Sequence, residues 1–443
     1  MKRLHAGRIH SAAEPWWLDE AGWDETAPRL VEPVQADVAI VGGGLTGLWT
    51  ALAVLERRPG TRVVVVEATR CGDGASARNG GFLHGYWGSL PRLVDALGAE
   101  DALEVARAAD GIVPAVRKLG EDVWLHEGGL LLVSASAGQD ESVRRAVAVA
   151  EKLGVGEEAV LVPRDDVPLR SPLFRDAVRF RDGATVHPAR LVRAVRDAAQ
   201  RAGAVLYEQS PALEIESGRV TTHFSSVKAD EIVVATNAWA SQWGPTARRL
   251  AAARSAIVLT DPVPDLAERI GWEGRDAVMD GRRYLSYFRT TNDGRVLMGS
   301  ATGSVARAEE TLRTLFPALA DVRVARRWWG MIDISSDRFP FFGTIPGTHV
   351  HYGAGYTGNG VGPSWLGGQL LAGLALGEDV GSPLVRRHVP QLPPEPLRTI
   401  GTALVSRALL SLDEAENADV RPPRVATFVA GMPQRLGLRI AAR

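Results

Sequence analysis

The sequence contains almost no cysteine, since Cys71 is the only one in 443 residues. A single thiol can form neither an internal disulfide nor a cysteine-based zinc site, so a reducing compartment fits the chain and we expect no metal site. Long apolar runs are also missing, and none reaches the ~18 residues that a membrane span needs. The N-terminus carries two early cations without the apolar stretch of a signal peptide. These absences predict a cytoplasmic protein with no membrane span.

The chain also lacks an excess of charge of either sign. It has 51 Lys and Arg residues against 52 Asp and Glu residues, which leaves a net charge of −1. Without a surplus of positive charge there is no electrostatic reason to expect nucleic acid or an anionic membrane as a partner. The hydrophobic fraction of 45% and the charged fraction of 23% are typical of globular proteins, and the length suggests two or three domains.

The clearest pattern is a strand, a glycine-rich turn, a helix and a second strand. Residues 37–41 form a short apolar run suited to a buried parallel strand, and the segment 42–47 (GGGLTG) follows it. Residues 48–58 predict a helix, and residues 62–66 predict a second buried strand that Glu67 closes. The four segments together predict one complete βαβ unit.

The glycines and the acid of this unit indicate a bound dinucleotide. Gly42 permits the tight turn, Gly44 lets the backbone approach a pyrophosphate, and Gly47 lets the helix pack closely on the sheet. The start of the helix offers free N–H groups to the phosphates. Glu67 can accept hydrogen bonds from both ribose hydroxyls, which argues against a 2′-phosphate and so against NADP. FAD and NAD both stay open at this point.

A second segment rich in small residues, 71–82 (CGDGASARNGGF), favours a flavin. Its glycines keep side chains away and expose backbone N–H groups, which suits a loop beside a pyrophosphate and an isoalloxazine edge. Arg78 is a candidate partner for phosphate. An ordinary surface loop is the alternative.

Four motifs then occur in the order that is typical of one family. They are 42–47 (GGGLTG), 74–81 (GASARNGG), 235–239 (ATNAW) and 355–360 (GYTGNG). On these motifs the chain resembles the D-amino-acid-oxidase-like FAD-dependent oxidoreductases over about residues 35–380. Within that family, residues 329–337 (WGMIDISSD) are most similar to the γ-glutamylputrescine oxidoreductase branch, and the residues after Gly47 and before Asp73 also resemble a branch named aminophosphonate oxidoreductases.

The resemblance implies which residues contact FAD. Glu67 would bind the adenosine ribose, the first two motifs would line pyrophosphate and flavin, and the last motif would present N–H groups to the flavin N1/C2=O edge. The implied residues are Gly42, Gly44, Leu45, Thr46, Gly47, Glu67, Ala75, Ser76, Arg78, Asn79, Gly80, Gly81, Thr236, Asn237, Gly358, Asn359, Gly360 and Val361.

Departures from the family pattern also carry information. Some members attach FAD through a histidine at the position of Asn79, so we expect non-covalent FAD here. Attachment through a late cysteine is excluded because Cys71 is the only cysteine. Residues 331–333 lack the arginine with which relatives often bind a substrate carboxylate, which favours an amine over a simple α-amino acid.

Four residues are candidates for contact with the substrate. His84 could accept a proton or orient the substrate, and Arg289, which follows the predicted strand 284–288, could anchor an anionic group. Tyr287 and Tyr356 could close the pocket. Each has a structural alternative: His84 could pack under the loop, Arg289 could be a solvated hairpin arginine, and the two tyrosines could be core residues. Asp333 either pairs with an ammonium group or caps local structure.

The predicted fold is an α/β protein in which a Rossmann-like FAD domain of the glutathione-reductase type is interleaved with an α+β substrate domain built on an antiparallel sheet. We expect a largely irregular tail with a short helix near residues 400–410. The predicted ranges are an N-terminal arm at 1–34, which is irregular and pinned by tryptophans, an FAD domain at 35–105, 185–243 and 335–380, a substrate domain at 106–184 and 244–334, and a tail at 381–443.

The expected reaction is oxidation of a C–N bond in a primary or secondary amine. A hydride passes to flavin N5, and water hydrolyses the resulting imine. The substrate would be a polyamine derivative or another ω-anionic amine, and O2 or another acceptor would take the electrons. A glycine/sarcosine-type amino-acid oxidase, a flavoprotein repurposed in a biosynthetic pathway and an NAD-dependent dehydrogenase are the alternatives.

Overall fold

The structure is a computed structural model that describes residues 14–23, 25–435 and 438. Its strands are, in chain order, β1 (Val34–Val41), β2 (Val63–Val66), β3 (Phe82–Leu83), β4 (Leu130–Val133), β5 (Ala159–Val162), β6 (Ala177–Phe180), β7 (Ala184–Thr185), β8 (Val205–Tyr207), β9 (Ala212–Glu216), β10 (Arg219–Thr222), β11 (Ser226–Val234), β12 (Leu250–Pro262), β13 (Ala277–Asp280), β14 (Ser286–Thr290), β15 (Arg295–Ser300), β16 (Val324–Ser335), β17 (Phe341–Thr344) and β18 (Val350–Ala354).

The α-helices of the described residues are α1 (Trp16–Ala21), α2 (Leu45–Arg57), α3 (Leu90–Leu97), α4 (Ala99–Ala108), α5 (Ile112–Lys118), α6 (Asp140–Lys152), α7 (Pro188–Arg201), α8 (Leu266–Ile270), α9 (Val305–Leu315), α10 (Pro363–Ala375), α11 (Pro383–Arg386), α12 (Leu397–Asn417) and α13 (Arg424–Arg435). None of them is both long enough and apolar enough to cross a membrane.

The first sheet has a parallel centre. Its order is β17-β18-β11-β1-β2-β8, and β1 pairs in parallel with both β2 and β11. Ile40 lies between Val65 and Val233 in this register, and all three side chains are buried. Near-continuous apolar strands of this kind are expected where helices cover both faces of a sheet. The βαβ unit predicted at residues 37–66 therefore forms the middle of this sheet.

The second sheet is mostly antiparallel, with the order β16-β12-β15-β14-β13-β4-β6-β5. Only the pair of β13 and β4 is parallel among its described pairings. Its outer face packs on aromatic rings, including Phe288, Phe316 and Trp272, whose centroids are 5.4–6.3 Å apart. The strands come from residues 130–180 and 250–335, whereas those of the first sheet come from 34–66, 205–234 and 341–354. The predicted interleaved fold class is confirmed, while the exact domain boundaries stay a prediction.

The N-terminal arm is more regular than expected where the structure describes it. Residues 16–21 form helix α1, and Trp16, Trp17 and Trp23 are buried. Trp17 donates from Nε1 to the backbone oxygen of Asn79 at 2.9 Å. The tryptophans thus attach this segment to the body, as the sequence indicates, whereas residues 1–13 lie outside the described part.

The C-terminal tail is largely helical, so the expectation of a largely irregular tail is wrong, while the short helix expected near residues 400–410 lies within α12. Residues 397–417 contain no proline, which leaves a long segment free to form α12. Ala408, Leu409 and Leu412 on α12 belong to one apolar cluster with Ala426 and Ala430 on α13. Prolines disrupt helices only where they stand, and the tail prolines leave the intervals that became α12 and α13 uninterrupted except for Pro433.

A buried carboxylate joins this helical tail to the second sheet. Asp413 is 5% exposed and accepts hydrogen bonds from the backbone N–H groups of Arg283 and Tyr284 at 3.1 and 3.0 Å. The Arg283 guanidinium also donates to it at 3.1 Å. Removing this carboxylate leaves two half-buried N–H donors without their partner.

We expect Asp413→Ala to lower the free energy of unfolding by about 1–3 kcal/mol and to make residues 418–423 more sensitive to protease. Urea unfolding and limited proteolysis measure the two effects. The matched control is Glu414→Ala, which removes an exposed carboxylate that pairs with exposed Arg307 and should cost at most about 1 kcal/mol. Equal effects of the two variants would contradict an anchoring role for Asp413.

Candidate functional site

A cavity of about 930 Å³ opens where β1, β2 and β11 end. Its wall on that side contains Val41, Val66 and Ala235, which are the last residues of those strands or follow them directly. The second sheet forms the opposite wall through β12, β14 and β16, and α12 contributes Val405 and Leu409. Ligands of parallel α/β sheets bind at this carboxyl edge.

The first glycine motif brings backbone close to backbone at this edge. Gly42 has φ +113°, and a Cβ there would lie 2.5 Å from the Ala235 carbonyl oxygen. A Cβ on Gly47 would lie 2.0 Å from the oxygen of Gly42. Gly42 and Gly44 line the cavity, whereas Gly47 is absent from the wall and serves the packing of α2 against the turn. The helix N-terminus therefore faces the cavity without side chains in the way.

Two residues at the start of α2 are fixed by partners from distant segments. The Leu45 N–H donates to Ser76 Oγ at 3.0 Å. The Thr46 hydroxyl donates to the hydroxyl oxygen of Tyr356 at 2.9 Å. All four residues line the cavity, so three of the sequence motifs meet at the beginning of this helix.

Glu67 lies in the cavity wall beside the first glycine motif. Its carboxylate accepts hydrogen bonds from the N–H groups of Gly43 at 2.7 Å and Thr69 at 3.0 Å. Burial raises the pKa of Glu67, and these two N–H donors partly oppose that rise. The acid thus stands at the end of β2, where the βαβ arrangement presents a carboxylate to a ribose.

The second motif places a half-satisfied arginine in the wall. Arg78 Nε donates to the Asp73 carbonyl oxygen at 2.8 Å, while its Nη1 is buried without a hydrogen-bond partner. Burial lowers the pKa of Arg78. Ala75 and Gly80 also line the cavity. Gly81 is absent from the wall and packs closely on the segment before α7, where a Cβ on Gly81 would lie 2.1 Å from the Val186 oxygen.

Asn79 is held by its own loop. Its amide donates to the carbonyl oxygens of Ala75 and Ser76, and its Oδ1 accepts from the Gly81 N–H at 2.7 Å. Asn79 therefore stabilises the turn in which the other residues of the motif lie. It offers no nucleophile to a cofactor, and Cys71 is fully buried.

Several buried polar atoms of the wall have no protein partner. Buried polar groups in proteins are nearly always hydrogen-bonded, so these atoms indicate a polar ligand. They include Arg78 Nη1, Thr236 Oγ1, Asn237 Oδ1 and Asn359 Oδ1. A cation, a hydroxyl and two amide oxygens match the phosphates, hydroxyls and ring N–H groups of a flavin dinucleotide, so the residues fit FAD.

A buried carboxylate shapes the last motif. Asp333 is fully buried, is absent from the cavity wall, and accepts a hydrogen bond from the Gly355 N–H. Burial raises the pKa of Asp333 to about 6. Asp333 thus caps the turn that carries Thr357 at φ +54° and presents residues 358–361 to the cavity. Of the two roles considered for it, the structure places it in the structural one.

His84 lies in the wall as a neutral base. Its Nδ1 is 3.2 Å from the Gly85 carbonyl oxygen, so Nδ1 carries the proton and Nε2 is left as an acceptor. Burial lowers the pKa of His84 to about 4. The backbone of His84 packs against Gly362 at the start of α10. A Cβ on Gly362 would lie 2.4 Å from the His84 carbonyl oxygen.

Tyr287 and Tyr356 both line the cavity. The Tyr287 hydroxyl is 2.9 Å from Ser255 Oγ, and its ring occupies the space above Gly299, where a Cβ would come within 2.0 Å. Burial raises the pKa of Tyr287 to about 12. Burial likewise raises the pKa of Tyr356. Both phenols keep their protons at neutral pH.

The position of Arg289 corrects the expectation that it anchors a substrate. Strand β14 spans Ser286–Thr290, so Arg289 lies within the strand and not after it. It is fully buried and donates to the carbonyl oxygens of Gly81 and Val186 at 3.1 and 2.7 Å. Arg289 lies two residues after Tyr287 on the same face of β14. Tyr287 lines the cavity, whereas Arg289 lies beneath the second motif. Arg289 therefore supports the flavin loop and is absent from the wall.

The model of the family described as "FAD dependent oxidoreductase" matches residues 37–374 of the chain. The chain belongs to this family. The "Probable oxidoreductase OrdL" of Rhizobium meliloti is 32% identical over 398 residues, which are 84% of this chain and 92% of that protein. The "Gamma-glutamylputrescine oxidoreductase" of Escherichia coli is 28% identical over 79% of this chain and 85% of its own length. Glycine oxidase from Geobacillus kaustophilus has a similar fold, with a TM-score of 0.67 at 22% identity over 81% of this chain and all of that chain.

Membership in the FAD dependent oxidoreductase family confirms several predictions from the sequence. The family resemblance and its γ-glutamylputrescine oxidoreductase branch, the fold class, the FAD cofactor and the assignment as an oxidoreductase are all confirmed. FAD is bound without a covalent link, in keeping with the amide at Asn79. The roles of individual site residues remain for the proposals below.

Sequence reasoning missed three groups in the cavity wall. Arg92 on α3, Arg338 between β16 and β17, and Tyr284 all line the cavity, together with residues of α12. None of them stands in a recognisable motif. Arg338 is marked only by its backbone conformation, which the sequence does not reveal: its φ of +71° lies in the region that favours glycine.

A set of carboxylates lies directly behind His84. Asp182 Oδ2 accepts from the Gly85 N–H at 2.9 Å, and Asp110 Oδ1 accepts from Trp87 Nε1 at 2.8 Å. Burial, together with the charges of Asp110 and Glu158, raises the pKa of Asp182 to about 7. Asp182 thus positions the loop that carries His84 while it is mostly protonated below neutral pH.

We expect Gly42→Ala to abolish retention of FAD. The added Cβ would meet the Ala235 oxygen at 2.5 Å and push the turn away from the pyrophosphate position. The ratio of flavin to protein absorbance after purification measures the loss. Gly60→Ala is the matched control, since Gly60 also has a positive φ of +86° but has nothing within 4 Å of its Cβ position. Equal flavin content in both variants contradicts the role of Gly42.

We expect Asp182→Asn to stabilise the protein at pH 8. The unfolded carboxyl ionises near its ordinary pKa, whereas the folded one keeps its proton to about pH 7. Stability is therefore lost as the pH rises from about 4 to 7, by ~1.4 kcal/mol for each unit of pKa difference.

Urea unfolding between pH 4 and 8 measures this effect. The wild type should lose stability across that range while Asp182→Asn loses less, so the variant gains about 1–4 kcal/mol at pH 8. Exposed Asp165→Asn serves as the control and should follow the wild type. Parallel profiles for Asp182→Asn and the wild type would show that Asp182 ionises normally.

Proposed function

We propose that the protein oxidises a C–N bond of a primary or secondary amine to an imine, which water then hydrolyses. The substrate is a polyamine derivative or another ω-anionic amine. One observation carries the proposal: a single cavity joins the four dinucleotide-binding segments to His84 and Tyr287. Among the described residues, the His84 ring is hydrogen-bonded to the Gly85 carbonyl oxygen and to no serine or acid, and this chemistry does not require such a set.

We propose that FAD is held by the residues that the family resemblance implies. Gly42, Gly44 and the start of α2 face the pyrophosphate, and Glu67 faces the adenosine ribose. Ala75, Ser76, Arg78 and Gly80 lie along phosphate and flavin, with Thr236 and Asn237 beside the dinucleotide. The flavin edge meets Gly358, Asn359, Gly360 and Val361. Gly47, Asn79 and Gly81 support these segments by packing and by hydrogen bonds within the loop.

Bound FAD supplies a two-electron acceptor for the hydride that leaves the carbon next to the substrate nitrogen. His84 is neutral and offers Nε2 to the substrate amine, either as a hydrogen-bond acceptor or as a base. Tyr287 is fixed by Ser255 and closes the cavity on the side of the second sheet. The second sheet and α12 keep bulk water from the reacting carbon.

Two further considerations support an amine as the substrate. The E. coli relative is named a γ-glutamylputrescine oxidoreductase. Residues 331–333 contribute Ile332 to the cavity wall and contain no arginine that could bind the carboxylate of a small amino acid. The electrons pass finally to O2 or to another acceptor, and the cytoplasmic location stays a prediction.

The test is an anaerobic titration of the purified flavoprotein, followed by absorbance. We expect the flavin bands to bleach with γ-glutamylputrescine or 2-aminoethylphosphonate and more weakly with putrescine, glycine or sarcosine. Dithionite is the control that shows the flavin to be reducible. Readmitted air then separates an oxidase from a dehydrogenase by the speed of recolouring. Bleaching by glycine or sarcosine alone points to an amino-acid oxidase. The proposal is wrong if dithionite reduces the flavin but none of the amines does.

A further inference from the structure

We propose that an N-terminal strap, formed by residues 17–23 and 25–27, positions the flavin loop (residues 70–81) and thereby sets how tightly FAD is held. The inference rests on the proposed placement of FAD along this loop and does not depend on which amine is oxidised. The strap precedes all four motifs of the family resemblance, so none of those motifs assigns it a part in cofactor binding.

The strap contacts the flavin loop near both of its ends. Trp17 Nε1 donates to the Asn79 carbonyl oxygen at 2.9 Å, close to the end of the loop. The Arg70 guanidinium, at the start of the loop, donates to the Trp23 carbonyl oxygen at 2.9 Å. The Cζ atom of Arg70 also lies 5.8 Å from the centroid of the Trp23 ring. The strap therefore runs behind the whole length of the loop.

A buried carboxylate makes a third connection between the two segments. Glu208 is fully buried, and its two oxygens accept hydrogen bonds from the N–H groups of Ala27 at 2.7 Å and Cys71 at 2.8 Å. Ala27 belongs to the strap and Cys71 to the loop. A buried carboxylate that loses such a donor becomes costly, so Glu208 fixes the strap and the loop relative to each other.

Three carbonyl oxygens of the loop face buried donors behind it. One accepts the hydrogen bond from Trp17 described above. Trp328 Nε1 donates to the Arg78 carbonyl oxygen at 2.9 Å, and Arg289 Nη1 donates to that of Gly81 at 3.1 Å. All three donor side chains are fully buried and absent from the cavity wall. Carbonyl oxygens would repel the phosphates of FAD, whereas N–H groups attract them, so these donors turn the loop toward an anion-binding conformation.

The strap is itself held in place from a different direction. The Cζ atom of Arg289 lies 5.7 Å from the centroid of the Trp17 ring, so two of the three donors contact each other. On the next turn of α1, the Glu20 carboxylate accepts two hydrogen bonds from Arg190 of α7, at 3.1 and 2.9 Å. A bidentate ion pair of this kind gives the strap a defined position against which the loop can order.

These contacts couple the strap to the cofactor. FAD that binds the ordered loop also stabilises the docked strap, and by linkage a docked strap raises the affinity for FAD by the same factor. Loss of one strap contact should therefore weaken FAD binding, although no residue of the strap lies in the cavity wall.

The first arm of the test uses the wild-type chain and compares hydrogen exchange of the apoprotein and the FAD-loaded protein. We expect FAD to slow exchange about tenfold or more in peptides from residues 17–27 as well as in peptides from the flavin loop. Helix α9 packs on the second sheet away from the loop and should exchange alike in both forms. Slower exchange in the loop without any change in the strap overturns the proposal. Unchanged exchange in the loop itself overturns the placement of FAD on which the proposal rests.

The second arm measures the affinity of the apoprotein for FAD in Trp17→Phe. This variant keeps an aromatic ring at residue 17 and removes the donor to the Asn79 oxygen. We expect the dissociation constant of FAD to rise about fivefold or more, as loss of a buried hydrogen bond does. The visible circular dichroism of the bound flavin should change as well, because the loop beside it is less firmly held.

Trp16→Phe is the matched control for this arm. Trp16 lies on the same helix, and its ring packs on Trp17 and Trp124, but no described hydrogen bond joins it to the flavin loop. It should keep the wild-type affinity for FAD and the wild-type flavin spectrum, even where its loss of packing lowers stability. An equal effect of the two variants on FAD, or no effect of Trp17→Phe, overturns the positioning role of Trp17.

The outcomes for the strap and for the proposed function are independent. If amines bleach the wild-type flavin while Trp17→Phe binds FAD normally, the strap proposal is wrong and the proposed function stands. If no amine bleaches the flavin while FAD slows exchange in the strap and Trp17→Phe binds FAD weakly, the strap proposal stands and the proposed function is wrong.

Discussion

The close approach of α2 to the turn before it is the constraint on which the rest of the site depends. A Cβ on Gly47 would lie 2.0 Å from the oxygen of Gly42, so the helix can press against the end of β1 only with glycine there. The start of α10 is brought to the same place, because Gly368 packs against Trp49 of α2 and a Cβ there would come within 2.6 Å. The helices α2 and α10 thus both begin at the cavity, where their dipoles favour negative charge.

The second sheet changes the chemistry of this edge by removing water from it. Burial keeps His84 neutral and Tyr287 protonated. Asp333 is also buried there and accepts the hydrogen bond that caps the turn of the last motif. The acids of the described cavity wall, Glu67 and Asp73, belong to the dinucleotide-binding segments, while the wall also holds the neutral base His84 and the phenol of Tyr287. Such a set suits a reaction whose difficult step belongs to the cofactor, because the chain has only to orient the amine and exclude water.

The features that the sequence predicted correctly are those set by neighbouring residues. The βαβ unit, the glycine motifs and their order follow from local turn geometry and apolar periodicity, so the central sheet and the cofactor could be inferred. Arg289, Arg92 and Arg338 could not be placed from the sequence. A shift of two residues in β14 decides where Arg289 lies, and the packing of α3 against α4 and α6 decides that Arg92 reaches the wall. The short helix predicted near residues 400–410 lies within α12, but the extent of the helical tail was missed because prolines were weighed by number, whereas their positions leave α12 intact.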